Sequence, residues 1–224
     1  MVMDSKKLLS KFSPLILVMV GVFVIMGILV VMMHSTKSTV IENSKAMETL
    51  LTEQDDLKKE LKYVDDASKI IDYYYKEKIC MRFCTVKDML KAIDQYLPSY
   101  FPEGPFTRRD FIALALTETS NLNQYTTGSC GEYGLFQIMP EMCKAKNVRR
   151  NHFDVFVNTE LAMFVMKEKY KKHKDYYKAI IAYNGVIIDP KTKRWRDKYW
   201  QRFLDYRKDV DIIFGGSNDQ GQDE

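Results

Sequence analysis

The sequence predicts a mainly α-helical protein built from one apolar helix, a polar helical stalk and a helical globular domain. Three observations carry this reading. Twenty residues from Pro14 to Met33 contain no charge. Apolar residues then recur at heptad spacing through the polar stretch 39–78, and five later segments repeat a helical period without any convincing strand alternation.

The apolar stretch comes first. At about 1.5 Å rise per residue a helix of that length reaches about 30 Å, the thickness of a hydrocarbon core. A cleaved leader has a shorter apolar core, about 7–15 residues, and a small-residue exit; Met32-Met33-His34-Ser35 is not such an exit. An uncleaved anchor over 14–34 is therefore expected. Lys6, Lys7 and Lys11 precede it and only Lys37 and Lys45 follow closely. That bias places residues 1–13 in the cytoplasm and the rest of the chain outside it. The net charge of +4 is too small to argue for nucleic acid, and no RNA- or DNA-binding motif is present. Lys167, Lys169, Lys171, Lys172 and Lys174 alternate with Glu168 and Asp175 as a solvated helix face would.

Residues 35–78 read as the stalk. Met47, Leu50, Leu57, Leu61, Val64 and Ile71 fall on one heptad seam, interrupted by Gln54 and Ser68. The seam suits either a homodimer or attachment to an envelope-spanning assembly, or a helix that packs one face on its own domain. Tyr73-Tyr74-Tyr75 marks the place where the helix meets the globular part.

The globular domain, 79–212, has helical patterns over 86–97, 107–119, 158–173, 176–183 and 198–210, with Pro98, Pro102, Gly104 and Pro105 separating the first two. Thr107 with Asp110 has the form of an N-terminal cap. Val186–Ile188 could form a short strand. The tail 213–224, rich in Gly, Ser, Asn, Asp and Gln, is expected to be disordered. Cys80, Cys84, Cys130 and Cys143 all fall on the outer side, where disulfides persist. Two bridges are expected, and three connectivities stay open. A Cys130–Cys143 bridge would clamp the segment between them, whereas Cys80–Cys84 would be strained within a regular helix. His34, His152 and His173 are not at ligand spacing from any cysteine pair, so no metal and no other cofactor is expected.

Three blocks carry the chemistry. Glu118-Thr119-Ser120-Asn121 ends the apolar run Phe111–Leu116; Gly131-Glu132-Tyr133-Gly134-Leu135-Phe136-Gln137-Ile138-Met139-Pro140 follows; then comes Ala182-Tyr183-Asn184-Gly185. A carboxyl at the end of a buried helix is half dry, and burial raises a Glu pKa far enough to keep it protonated near neutrality. Gly131 and Gly134 suit a turn with positive φ.

In order and spacing these blocks resemble the lytic transglycosylase family with the goose-lysozyme-like fold. Thr119 stands in place of the family's usual Ser, and Glu132 and Tyr133 replace small residues. The family's closing E-T-x-x-Y-V block is represented at best by Lys198-Tyr199-Trp200. The resemblance spans roughly residues 85 to 207. It implies a lysozyme-like domain that cleaves the MurNAc–GlcNAc β-1,4 bond of peptidoglycan. One Glu, here Glu118, would first donate a proton and then withdraw one from the muramic C6 hydroxyl, leaving a 1,6-anhydro product. Glycosidases more often use two carboxylates about 5–10 Å apart, and Glu132, Glu141 or Asp154 could help. By the same resemblance Gln137, Tyr183, Asn184, Ser120, Gly134 and Met139 are substrate-binding candidates, with Tyr183 the expected hydrogen-bond partner of Glu118. The implied setting is a bacterial inner membrane with the domain in the periplasm or outside, in a cellular or phage-encoded protein. A hydrolytic lysozyme and a non-catalytic scaffold subunit are the alternatives.

Overall fold

The structure is a computed structural model that describes residues 5–77, 79–145, 151–185 and 197–215; for residues 5–18, 20, 34, 35, 38, 143, 145 and 197 it describes backbone alone. Its helices are α1 (Ser5–Lys76), α2 (Phe83–Tyr100), α3 (Arg108–Glu118), α4 (Pro140–Ala145), α5 (Val155–His173), α6 (Tyr176–Tyr183) and α7 (Asp197–Ile213). Among the described residues there is no strand, only isolated antiparallel bridges from Thr127 to Tyr133 and from Tyr133 to Ile138. The possible strand Val186–Ile188 and the tail beyond Gly215 lie outside the described residues.

The chain divides into two units, Met1–Lys59 and Glu60–Glu224, and α1 runs from the first into the second. In the first unit the described apolar side chains are exposed, among them Phe23, Val31 and Met33 in the apolar stretch and Met47, Leu50 and Leu57 in the heptad seam. Among the described residues no helix is long and apolar enough to cross a membrane; residues 14–18 and 20 of the apolar stretch belong to the part described by backbone alone.

In the second unit the last turns of α1 already belong to the core. Asp66, Ala67, Ile70 and Tyr74 are buried, one helical face at spacings of three and four. Leu61 and Val64, on the heptad seam, stay exposed. Of the tyrosine run, Tyr73 and Tyr74 both donate to the Asp209 carboxylate on α7, at 2.8 and 3.1 Å, while Tyr75 points to solvent. Arg108 ties α1 to α2 and α3 by ion pairs to Asp66 (2.9 Å) and Asp94 (3.0 Å).

Pro98 does not end α2 as expected. The helix continues to Tyr100, since a proline in the last turn removes one backbone donor and leaves the preceding bonds intact. Phe101 N still donates to Leu97 O at 2.8 Å. Pro140 opens α4, as a first-turn proline can because its missing N–H would have no intrahelical acceptor there.

Helix α3 is the structural centre. Phe111 through Leu116 are all buried, and it packs against α7 and α2. Its start is held by Asp110, whose carboxylate accepts from Thr107 N (2.6 Å) and Thr107 Oγ1 (2.8 Å), from Tyr176 OH (2.9 Å) and from Arg207 Nε (2.8 Å). A helix fixed at one end and buried along its length presents its last residue on a rigid mount. That residue is Glu118.

Cys80, Cys84 and Cys130 are exposed free thiols, so the expected pair of bridges is not formed among them. Cys80 precedes α2 and Cys84 lies in its first turn, the close spacing that strains a bridge. The Cys143 side chain lies outside the described residues.

Candidate active site

The Glu118 side chain is half-buried at the C-terminal end of α3. Loss of water pushes its pKa up to about 7; a hydrogen bond from Tyr199 and the charge of Arg202 oppose the rise, and Glu132 adds to it. The carboxyl is therefore close to half protonated near neutrality, where a general acid works best. Tyr199 OH donates to Glu118 Oε1. This corrects the expected partnership with Tyr183, whose hydroxyl donates instead to Phe136 O at 2.9 Å. The reason lies in helix packing. Helix α7 lies along α3 and brings its first turn to the acid, whereas Tyr183 closes α6 and reaches the adjoining loop. Both phenols are held well above their usual pKa by burial first and by the charge of Glu118 second. They act as neutral donors.

The loop facing the acid is set by backbone geometry. Gly131 and Gly134 have φ of +88° and +77°, which glycine adopts without steric cost. Asn158 of α5 accepts from Phe136 N (2.9 Å) and donates to Tyr133 O (2.9 Å) and His152 O (3.2 Å). From the other side Thr119 donates to Leu135 O (2.9 Å) and Ala115 O (3.2 Å), so this hydroxyl fastens the loop to the end of α3. Gln137 stands at φ +47°, an uncommon backbone for a residue with a Cβ and one that concentrates at functional sites. Its Nε2 donates to Gly134 O (2.8 Å) and Thr126 O (3.3 Å), and its Oε1 faces Gly128, where an added Cβ would come within 2.7 Å.

These elements enclose a cleft of about 500 Å³. It brings together Glu118, Gln137, Met139, Tyr183 and Asn184 from the three sequence blocks. Ser120 and Gly134 do not line it: Ser120 follows the end of α3, and Gly134 is buried beneath the loop. Gly128, Ser129, Cys130, Glu132 and Gly185 complete the lining. Sequence reasoning named Glu132 both as a departure from pattern and as one of three possible helpers of the acid, and Tyr199 only as the remnant of a missing block. Asn158 carried no signal beyond being polar at the start of an apolar helix. Glu141 and Asp154 are not in the cleft; Asp154 caps α5 by accepting from Val157 N at 3.0 Å. Among the described residues no three His, Cys, Asp or Glu side chains converge as metal ligands do.

The fold and the cleft define a helical domain that presents a half-buried acid, held by a neutral phenol, beside a loop built on glycines, an arrangement able to donate a proton. Residues 107–201 match the family described as the transglycosylase SLT domain. That match supports a lytic transglycosylase family and, in general, action on peptidoglycan. No curated protein and no solved structure matches the chain.

Proposed function

We propose that the protein is a membrane-anchored peptidoglycan lytic transglycosylase. Glu118 protonates the leaving oxygen of the MurNAc–GlcNAc β-1,4 bond, then takes the proton of the muramic C6 hydroxyl as that oxygen closes on the anomeric carbon. The glycosidic C–O bond breaks, the intramolecular C–O bond forms, and the acid returns to its starting state with no water consumed. The observation that carries this reading is the Glu118 carboxyl, which lines the cleft and which burial pushes up to a pKa of about 7. Tyr199 holds that carboxyl, and Gln137, Tyr183 and Asn184 face the strand.

Anchoring rests on the uncharged stretch Pro14–Met33, which lies within the continuous helix α1. Its described apolar side chains, from Met19 to Met33, are exposed, as on a helix that offers an apolar surface to lipid. The domain then lies on the outer face of the membrane, where the wall is.

A hydrolytic lysozyme is the second reading, and Glu132 favours it. This carboxylate lines the same cleft and acts on Glu118 through its charge, so it could activate a water. Digesting purified peptidoglycan with the full-length protein and weighing the products separates the two. Anhydromuropeptides support the transglycosylase, products with reducing ends support the lysozyme, and an intact polymer refutes both.

A further inference from the structure

A second pocket, of about 400 Å³, is lined by Cys80 and Arg82 from the segment before α2 and by Asn121, Asn123 and Tyr125 from the segment after α3. Among the described residues no acidic side chain lines it. The Arg82 guanidinium lies over the Tyr125 ring, 5.7 Å from its centroid, an arrangement that holds the cation without neutralising it. Asn121 Oδ1 accepts from Asn123 N at 3.2 Å and Asn123 Oδ1 from Tyr125 N at 3.1 Å. Each amide carbonyl thus already serves a backbone N–H, and the two carboxamides also carry N–H groups to offer a ligand. The pocket presents a guanidinium fork and amide donors, which suit a planar carboxylate.

Its position says which carboxylate. Residues 121–125 leave the acid three residues after Glu118 and lead to Thr126, whose carbonyl holds the Gln137 amide in the cleft. Pocket and cleft therefore share one stretch of chain. A peptidoglycan strand bears, on the lactyl group of each muramic residue, a short peptide with free carboxylates. We propose that this pocket, centred on Arg82, is a subsite for a carboxylate of that stem peptide, and that it makes the enzyme prefer strands with stems over bare glycan. The inference rests on the peptidoglycan reading above. Arg82 lies outside the residues matched by the family, 107–201.

The test uses the full-length protein, two substrates and one ligand: glycan strands with intact stems, strands stripped of stems by an amidase, and a soluble alanyl-glutamyl-diaminopimelyl-alanine tetrapeptide. Arg82→Ala should raise KM on stemmed strands about tenfold, in line with one charge-assisted hydrogen bond facing solvent. It should leave kcat unchanged and KM on stripped strands as in the parent. Arg82→Lys, which keeps the charge and loses the fork, should fall between. By calorimetry the tetrapeptide should bind the parent protein, and bind weakly or not at all to Arg82→Ala. An equal KM change on both substrates, or none on either, overturns the subsite. Should the parent protein cleave neither substrate, the proposed activity falls, and calorimetry still decides the pocket: binding lost with Arg82→Ala sustains it, and a tetrapeptide that ignores the parent protein ends it.

Discussion

The Asn158 carboxamide occupies the space that a Cβ on Gly134 would need, with Nδ2 2.6 Å and Cγ 2.7 Å from that point. The same amide serves Phe136 N, Tyr133 O and His152 O, so absence of a side chain at one position allows three hydrogen bonds from the other. Gly134→Ala adds a clash to a left-handed φ, and Asn158→Ala takes from the buried Phe136 N its acceptor. Each should cost about 2–4 kcal/mol of stability and lower the midpoint of thermal unfolding followed by circular dichroism. A midpoint within a degree of the parent for both would contradict this account of the loop.

Glu118→Gln should abolish cleavage while retaining strand binding. It also has a signature in stability. Below about pH 4.5 the acid is protonated in both folded and unfolded chains; between there and pH 7 only the folded protein keeps the proton, because burial raises its pKa. Stability from this group is therefore full at low pH, declines as pH rises through that window and is gone above it, a change of about 1–3 kcal/mol. Glu118→Gln removes the decline. Urea titrations of both proteins at pH 4.5, 6 and 8 measure it, and parallel curves would show that the acid is not buried as described. Activity of the parent should fall as pH passes upward through about 7.

Tyr199→Phe removes a hydrogen bond that lowers the Glu118 pKa. The alkaline limb of the pH–rate profile should move to higher pH, and kcat should drop about tenfold as the carboxyl loses its orientation. Tyr183→Phe frees Phe136 O and should act on loop stability and KM with little displacement of the pH limb. If Tyr183→Phe displaces the limb and Tyr199→Phe does not, the assignment of the two phenols is reversed.

Removal of Pro14–Met33 should transfer the protein from the membrane fraction to the soluble fraction, with the helical signal of the domain retained. Recovery of the full-length chain in the supernatant after an alkaline carbonate wash would refute the anchor.

Some of this protein can be read in its sequence because local physics suffices. The Thr107–Asp110 cap depends on residues three apart, and the structure has it. The 176–183 helix follows from apolar spacing, and α6 has those bounds. Pro98 misleads because a proline's effect depends on which turn it occupies. The heptad seam and the buried face of α1 are different faces of one helix, and periodicity alone favoured the seam. Arg82, Asn158 and Tyr199 act across 43, 24 and 81 positions of chain from their partners Tyr125, Gly134 and Glu118, and no local pattern announces them.

What the sequence alone determined is the helical class, the uncharged stretch and the acid at the end of an apolar helix, since each is a property of neighbouring residues. Only the tertiary structure decided which tyrosine holds that acid, which carboxylate shares its cleft and which asparagine supports its loop. Those choices depend on how α3, α5 and α7 cross, and crossing geometry comes from the packing of whole faces.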